Sequence, residues 1–401
     1  MSLAQGRPYL AIPGPSVLPD RVLAAMQQPA PNIYQGPLLE MTDALYLQLR
    51  ALAAPGAPDR VHPAIYIANG HGAWEAANTN LFSRGDRALV LATGAFGTSW
   101  ANTARRLGVE VEVMDFGRQT AADPNRLEAA LKADRAGTIR AVLVTHTDTS
   151  SSVKNDIAAL RAAIDAAGHP ALFAVDCIAS MGCDAYDMAA LGVDVTVAAS
   201  QKGLMTPPGL GLLWVSDKAL KSCASSDLRT PYWDWTARIG ATEYWQLFAG
   251  TAPTHHLFAL SEALTMIGEE GLPHVWDRHA RLARAIWAAV ETWGQGGDIA
   301  LNVPDPAARG HSVTAVRFGD GVAGRLRAWT EAEAGVTLGI PLGAAEPDDP
   351  AYQDFLRIGH MGHVNAHMVL GALAVIEAGL QALGAPHGAG AIEAAAKALL
   401  R

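Results

Sequence analysis

The 401-residue sequence has little cysteine, little charge and no long apolar run. Its three cysteines, Cys177, Cys183 and Cys223, show no Cys-x-x-Cys spacing, which argues against a disulfide framework and against a zinc site. No apolar run reaches the roughly 18 residues that a membrane-spanning helix needs. Charged residues make up only 17%, with a net charge of -9 and no basic stripe. A nucleic acid is therefore not expected as a partner.

Two common sequence signals are also missing. The opening "MSLAQGRPYL" has neither a charged n-region nor an apolar h-region, so no signal peptide is predicted. Together with the unpaired cysteines, this predicts a reduced, cytoplasmic protein. No Gly-x-Gly-x-x-Gly follows the first strand of the alternating pattern, which disfavours a nicotinamide-binding enzyme.

What is present is a 50% share of hydrophobic residues, enough for a large core. Apolar runs such as "RALVLATG" and "IRAVLVTHTDTSS" alternate with helical stretches, which predicts an α/β fold whose mostly parallel sheet is covered by helices on both faces. The pattern changes to long helices and short strands further on. We expect an N-terminal arm (1–20), a large domain (21–270) and a smaller α+β C-terminal domain (271–401). The stretch "QGGDIALNVPDPAARGH" is predicted to be a surface loop.

A lysine follows one of the predicted buried strands. Lys202 lies in "DVTVAASQKGLMTPPGLGLLWV", between two apolar runs, and a turn rich in proline and glycine follows it. Ligands of parallel sheets bind beyond the carboxyl ends of the strands. A desolvated lysine there has a lowered pKa and is a nucleophilic amine. The position therefore suggests a Schiff-base lysine.

A carboxylate, Asp176, ends the preceding predicted strand in "LFAVDCIASMG". A carboxylate in an apolar setting is costly unless it is paired. The pyridine nitrogen of pyridoxal 5′-phosphate (PLP) offers such a partner, since an adjacent carboxylate keeps that nitrogen protonated. A lysine and an aspartate at neighbouring strand ends are the pair that this cofactor requires.

Three further stretches add candidate contacts. In "YIANGHGAWEAAN", Gly70, His71 and Gly72 precede a helix predicted to start near Ala73, and a helix N-terminus binds phosphate. Phe96 follows another strand, where an aromatic side chain can stack on a planar ring or pack in the core.

In "FLRIGHMGHVN", Arg357 lies between two apolar residues, and its fork suits either a substrate carboxylate or a structural ion pair. His360 and His363 have no third ligand at a recognisable spacing, so no metal site is predicted.

With these residues in this order, the sequence resembles the class V aminotransferases of PLP fold type I, and most of all the serine–glyoxylate and alanine–glyoxylate aminotransferases. The resemblance covers nearly the whole chain. It is carried by segments such as "IPGPSVLPDRVLAAM", "VDCIASMG", "VDVTVAASQKGLMTPPGLGLL" and "RIGHMGHVNAHMVLGALAVIEAGL".

The resemblance implies a role for each matching position. Lys202 would form the Schiff base and move a proton between the substrate Cα and C4′ of the cofactor. Asp176 would pair with the pyridinium nitrogen, and Arg357 would hold the substrate α-carboxylate. Other matching residues would contact the cofactor: Gly70, His71, Gly72 and Gln201 at the phosphate, Phe96 stacked on the ring, and Ser150 near the 3′-oxygen. Thr251 would reach the phosphate from the neighbouring subunit, which implies a homodimer with shared sites.

Two positions depart from the family pattern. Phe248 stands where relatives often have a tyrosine near the phosphate. Relatives of the serine–glyoxylate type usually have a Tyr-Arg-Ser-Pro-like stretch near the N-terminus, which here reads Tyr34-Gln35-Gly36-Pro37. Tyr34 is taken as a substrate-binding residue, while a positive charge is missing at Gln35.

The resulting hypothesis is a transaminase that moves the amino group of a small amino acid, of the serine or alanine type, to glyoxylate or pyruvate by a ping-pong mechanism. A class V enzyme with an unusual amine donor is an alternative. So is a lyase or desulfurase, for which Cys223 is the candidate persulfide carrier because it alone lies outside an apparent strand setting. A non-catalytic PLP-fold binding protein is a third possibility.

Overall fold

The structure is a computed structural model in which residues 2–400 are described. Its strands are β1 (Tyr9–Ala11), β2 (Val61–Ala68), β3 (Arg87–Ala92), β4 (Glu110–Asp115), β5 (Ile139–Thr145), β6 (Leu172–Asp176), β7 (Val195–Ala199), β8 (Gly209–Ser216), β9 (Ile299–Leu301), β10 (Val313–Phe318), β11 (Val336–Leu338) and β12 (Phe355–Gly359). Its helices are α1 (Asp20–Met26), α2 (Pro37–Ala53), α3 (Gly70–Leu81), α4 (Ala95–Arg106), α5 (Pro124–Ala133), α6 (Ile157–Ala166), α7 (Asp217–Ser222), α8 (Trp235–Ile239), α9 (Thr254–Glu270), α10 (Leu272–Gly294), α11 (Val322–Ala334), α12 (Ala366–Ala382) and α13 (Ala391–Ala398).

The central sheet has seven strands in the order β2-β8-β7-β6-β5-β3-β4. All neighbours from β7 to β4 run parallel, and only β8 is antiparallel to both of its neighbours. In β5, Val142 and Val144 pack into the core on one face, while Ala141 and Leu143 pack into the core on the other. Strands buried on both faces are continuously apolar, which explains the runs in the sequence. The predicted α/β class with a mostly parallel sheet is confirmed.

A second unit follows in the C-terminal part of the chain. Its antiparallel sheet has the order β12-β10-β9, and its core is formed with helices α10 to α13. The N-terminal strand β1 belongs to this unit, because it pairs in parallel with β11 and contributes the buried Ala11. The helical run breaks at Gly271, which has φ +83° between α9 and α10. The domain limits at residues 20 and 270 remain predictions.

Two local expectations are wrong. Helix α3 begins at Gly70 rather than near Ala73, because the side chain of Asn69 caps it. The predicted surface loop at 295–311 contains β9, and its Val303 and Arg309 are buried. The Arg309 guanidinium donates hydrogen bonds to the Val303 and Pro304 carbonyls. These bonds give the carbonyl groups of this buried segment the partners that water would otherwise provide.

None of the helices between residues 2 and 400 is long and apolar enough to cross a membrane.

Candidate active site

A cavity of about 230 Å³ opens beyond the carboxyl ends of β6 and β7, where a parallel sheet places its ligands. Six of the residues predicted from the sequence line it: Gly70, His71, Phe96, Asp176, Gln201 and Lys202. The other lining residues are Gly14, Pro15, Asn69, Trp74, Thr147, Thr149 and Ile178. The predicted lysine and aspartate therefore meet in one cavity, because β6 and β7 are neighbours in the sheet.

Lys202 is held by the segment that follows β1. Its ammonium donates a hydrogen bond to the carbonyl oxygen of Pro13, and the Ser16 hydroxyl donates one to the Lys202 carbonyl at 2.7 Å. Gly14 must be glycine here, since it has φ +94° and a Cβ would lie 2.6 Å from Cδ of Lys202. Burial, and then the nearby charge of Arg357, lower the pKa of Lys202 to about 8. A neutral, nucleophilic amine is thus readily available near neutral pH.

Asp176 is the last residue of β6 and is only 4% exposed. Its Oδ1 accepts a hydrogen bond from the backbone N–H of Ile178 at 2.6 Å, and its Oδ2 accepts one from Nε1 of Trp74 at 3.1 Å. Burial raises the pKa of Asp176 to about 7, while these two donors act in the opposite direction. A carboxylate oxygen accepts more than one hydrogen bond, so Asp176 can still receive a proton-bearing ring nitrogen.

The N-terminus of α3 forms one wall of the cavity. The Asn69 side-chain oxygen accepts hydrogen bonds from the backbone N–H groups of His71 and Gly72, at 3.1 and 3.3 Å. This oxygen occupies the acceptor position that a phosphate oxygen takes at a helix N-terminus. Gly70 is packed against Ile178, since a Cβ there would lie 2.5 Å from Cδ1 of that residue. Gly72 lies in the first turn of α3 but does not line the cavity.

Asp148 organises the wall that carries Phe96 and Ser150. Its Oδ2 accepts hydrogen bonds from the backbone N–H groups of Phe96 and Gly97, and its Oδ1 accepts one from the Ser150 hydroxyl at 2.6 Å. The Ser150 hydroxyl in turn accepts a hydrogen bond from the backbone N–H of Ala95.

Ser150 does not line this cavity, and its hydroxyl is used between Asp148 and α4. A direct contact from Ser150 to a cofactor finds no support in this arrangement. Thr147 and Thr149 are the hydroxyl-bearing residues on the cavity wall.

Arg357 lies in β12 and is 7% exposed. Its Nε donates a hydrogen bond to the Ile340 carbonyl at 2.7 Å, and its Nη1 donates one to the Thr149 carbonyl at 3.0 Å. Neither bond involves Nη2. Arg357 lines an adjoining cavity of about 320 Å³ together with Ser150, and burial lowers its pKa to about 10. The guanidinium is thus fixed next to the wall that Thr149 contributes to the first cavity.

Besides Gly72, Ser150 and Arg357, two further predicted residues, Tyr34 and Thr251, do not line the cavity. Tyr34 is 85% exposed, and Thr251 is also exposed. Phe248, which departs from the family pattern, is 1% exposed and packs edge-on against Tyr244 in the core. Within one chain, neither Tyr34 nor Thr251 lines the cavity.

The sequence interpretation missed Trp74, Asp148 and the segment Pro13–Ser16. A signal for Trp74 was available, because it lies four residues after Gly70 and so one turn further along the same face of α3. The contacts of Asp148 and of the Pro13 carbonyl join distant parts of the chain, and no local pattern announces them.

The residues present fit PLP. The cavity combines a lysine amine with a lowered pKa, a buried carboxylate, a helix N-terminus and an aromatic ring. In addition, the side-chain oxygen of Gln201 is buried on this wall without a hydrogen-bond partner. Buried polar atoms are rarely left unpaired, so an unpaired one at a cavity favours a polar ligand there. Among residues 2–400, no group of three or more His, Cys, Asp or Glu side chains is arranged to hold a metal ion.

The cysteines do not support desulfurase chemistry. Cys223 is 1% exposed, and its thiol donates a hydrogen bond to the Leu220 carbonyl at 3.0 Å. Cys177 and Cys183 are also buried, and neither lies within a strand, so Cys223 is not set apart as the sequence interpretation supposed. A persulfide carrier must be accessible to its partner. None of these thiols meets that condition.

Comparison with known proteins supports the same interpretation. The family model "Aminotransferase class-V" matches residues 8–338. A serine–glyoxylate aminotransferase from Methylorubrum extorquens is 35% identical, over 99% of this chain and 96% of the relative. An L-aspartate–glyoxylate aminotransferase from Paracoccus denitrificans is 32% identical, over 96% and 94%. The crystal structure of pyridoxamine–pyruvate aminotransferase from Mesorhizobium loti superposes with a TM-score of 0.87 at 26% identity, covering 100% of this chain and 99% of that one.

The family model matches most of the chain, and relatives above 30% identity align along its whole length. The cavity at the ends of β6 and β7 contains a lysine and an aspartate, as expected for this family. The chain belongs to the class V aminotransferases and is a PLP-dependent transaminase.

Proposed function

We propose that this protein transfers the amino group of a small amino acid to glyoxylate, with pyruvate as a second acceptor. The observation that carries this proposal is the meeting of Lys202 and Asp176 in one small cavity at adjacent strand ends. The choice of glyoxylate is supported by the relatives, which include serine–glyoxylate and L-aspartate–glyoxylate aminotransferases.

The chemistry that PLP supplies when bound is electron withdrawal from the substrate Cα. Asp176, buried at the end of β6, would sustain that withdrawal by holding a proton at the ring nitrogen. The Lys202 amine would take the proton from the substrate Cα and deliver it to C4′ of the cofactor. Its pKa of about 8 is suited to this exchange, because a general base works best with a pKa near the operating pH.

The other residues orient the lysine and the substrate. The Pro13 carbonyl accepts a hydrogen bond from the Lys202 ammonium and so limits where that group can move. Arg357 offers a fixed positive charge to the substrate carboxylate, since two backbone carbonyls hold its guanidinium in place. A pre-oriented guanidinium gives up little side-chain entropy when it binds a carboxylate.

The donor is tested by titrating the holoenzyme with single amino acids and following the visible absorption of the cofactor. We expect serine and alanine to convert the aldehyde form to the amine form, and glyoxylate to reverse it. Aspartate and pyridoxamine belong in the panel as alternative donors. A response to pyridoxamine alone would contradict the proposed donor class, and no response to any amine would contradict amino transfer.

We further propose that the working unit is a homodimer, located in the cytoplasm, in which Thr251 reaches the partner's site. This is supported by the exposure of Thr251 and by large exposed side chains such as Tyr34 and Trp245, which are 85% and 59% exposed. Exposed aromatic residues are enriched where proteins associate.

Shared sites predict complementation between two inactive variants. Lys202→Met removes the amine, and Thr251→Glu places a negative charge where the phosphate is proposed to bind. When the two proteins are unfolded together and refolded as a mixture, we expect activity to return, because one site of each mixed dimer carries neither change. The matched control mixes Lys202→Met with Lys202→Met/Thr251→Glu, which leaves no intact site. If the first mixture stays inactive although mixed dimers form, Thr251 does not act across an interface.

A further inference from the structure

Trp74 contacts the carboxylate that is proposed to hold the cofactor ring. It lies in α3 with no exposed surface, and its Nε1 donates a hydrogen bond to Oδ2 of Asp176 at 3.1 Å. Asp176 is itself 4% exposed. The contact joins residues on two different elements, α3 and the end of β6, across the floor of the cavity.

We propose that Trp74 is a positioning residue for Asp176. The indole N–H of Trp74 keeps the Asp176 carboxylate ionised and directed at the ring nitrogen of bound PLP. This inference rests on the proposed function and deepens it. It assigns to Trp74 an effect on the cofactor that is transmitted through Asp176.

The first argument is electrostatic. Burial and the negative charge of Asp148 favour the protonated form of Asp176, while the Ile178 and Trp74 N–H groups and the charge of Lys202 favour the ionised form. These opposing effects leave a pKa of about 7, so Asp176 is close to half-protonated at neutral pH before the cofactor binds. At such a balance point, removing one hydrogen bond to the charged form decides which state prevails.

The second argument is rigidity. The indole of Trp74 stacks on that of Trp100, with centroids 6.1 Å apart and planes 11° apart. The rings of His71 and Phe96 meet the Trp74 indole in an edge arrangement, with ring centroids 4.8 and 6.2 Å from that of the indole. Held on these sides, the N–H cannot turn away from Asp176. A donor that is fixed in advance pays no reorganisation cost during the reaction.

The structure offers a matched control in Trp100. This residue is equally buried, and its Nε1 donates a hydrogen bond of the same 3.1 Å length to the neutral Oδ1 of Asn78. Trp74→Phe and Trp100→Phe therefore remove the same indole group and the same kind of packing. They differ in whether the lost N–H was bonded to a carboxylate or to an amide, and also in position, because Trp74 lines the cavity and Trp100 does not. The pH dependence of the loss, and not its size alone, therefore separates the two roles.

The experiment is equilibrium dialysis of both holoenzymes against decreasing PLP, at several pH values. We expect Trp74→Phe to weaken PLP affinity about tenfold at pH 7.5 and Trp100→Phe to weaken it about twofold, because hydrogen bonds to charged groups are worth more than neutral ones. The Trp74→Phe deficit should shrink toward pH 9.5, where Asp176 is ionised in either protein. A purely structural role predicts a deficit that does not vary with pH.

Steady-state kinetics give a second readout. Trp74→Phe should lower kcat and leave KM for the amino donor nearly unchanged, since Asp176 meets the cofactor and not the substrate. Equal, pH-independent losses in the two variants, or unchanged PLP affinity in Trp74→Phe, would overturn the inference while leaving the proposed function intact. If the unmodified protein binds PLP but no amine converts it, the proposed function itself has failed.

Discussion

A protein in which methionine replaces Lys202 is expected to transfer no measurable amino group, with activity reduced at least about 10³-fold. Lys202 is the only lysine that lines the cavity among the residues described, and its amine is the sole candidate there for taking the proton from Cα. Methionine keeps most of the aliphatic chain that packs against Gly14, so the fold should survive.

The same prediction has a chemical form. Borohydride reduction of the holoenzyme, followed by peptide mapping, should place the cofactor on Lys202, and the Lys202→Met protein should take up no label. Lys397→Met is the control, because that lysine is largely exposed and pairs only with Glu393 on the same helix. A label on any other lysine, or full activity in Lys202→Met, would refute the assignment.

Replacing Asp176 by asparagine is expected to have opposite effects on activity and on stability. Activity should fall about 10² to 10³-fold, the usual loss when one preorganised electrostatic group is removed. Asparagine keeps an acceptor for the Ile178 N–H, but it has no negative charge to hold a proton on the ring nitrogen.

The stability effect follows from the pKa of about 7, against roughly 3.9 in an unfolded chain. Between those values the unfolded chain has released its proton and the folded protein still holds it, so the unmodified protein loses stability as the pH rises. Asparagine does not titrate. For the cofactor-free proteins, we therefore expect the free energy of unfolding of Asp176→Asn, relative to that of the unmodified protein, to rise by about 4 kcal/mol between pH 4 and pH 8.

Urea unfolding at a series of pH values measures this difference. A constant offset is expected as well, because the amide N–H₂ of asparagine faces the Trp74 N–H, but an offset does not alter the slope. Asp59→Asn, which makes the same substitution at an exposed carboxylate, is the control. A flat difference for Asp176→Asn would mean that this carboxylate is not desolvated as the structure indicates.

The sequence was sufficient for the sheet and for the central pair of site residues, for a simple reason. Strands buried on both faces are recognisable as apolar runs, and polar residues at or just beyond the ends of two such runs meet if the strands are neighbours. Lys202 and Asp176 satisfy this rule. Their contacts could not be predicted in the same way, because Trp74 looks like any core aromatic residue until α3 is placed against β6.

Other parts of the site could not be predicted from the sequence, because they depend on contacts between distant parts of the chain or between chains. Ser150 lies near the predicted place, yet its hydroxyl is used by Asp148, whose role no local pattern reveals. Thr251 and Tyr34 are exposed in the single chain, so their roles in binding remain predictions.

The pairing of β1 with β11 joins residues that are far apart in the chain, so it can form only after most of the large sheet has been made. The segment that follows β1 carries the Pro13 carbonyl that accepts the Lys202 hydrogen bond, and Ser16 of the same segment bonds Gln201 and Lys202. A nascent chain can complete the seven-stranded sheet earlier, since chains fold from the N-terminal side as they emerge. Until β11 has been made, β1 lacks the strand with which it pairs in the folded protein. All seven strands of the central sheet are therefore synthesised before the strand that pairs with β1.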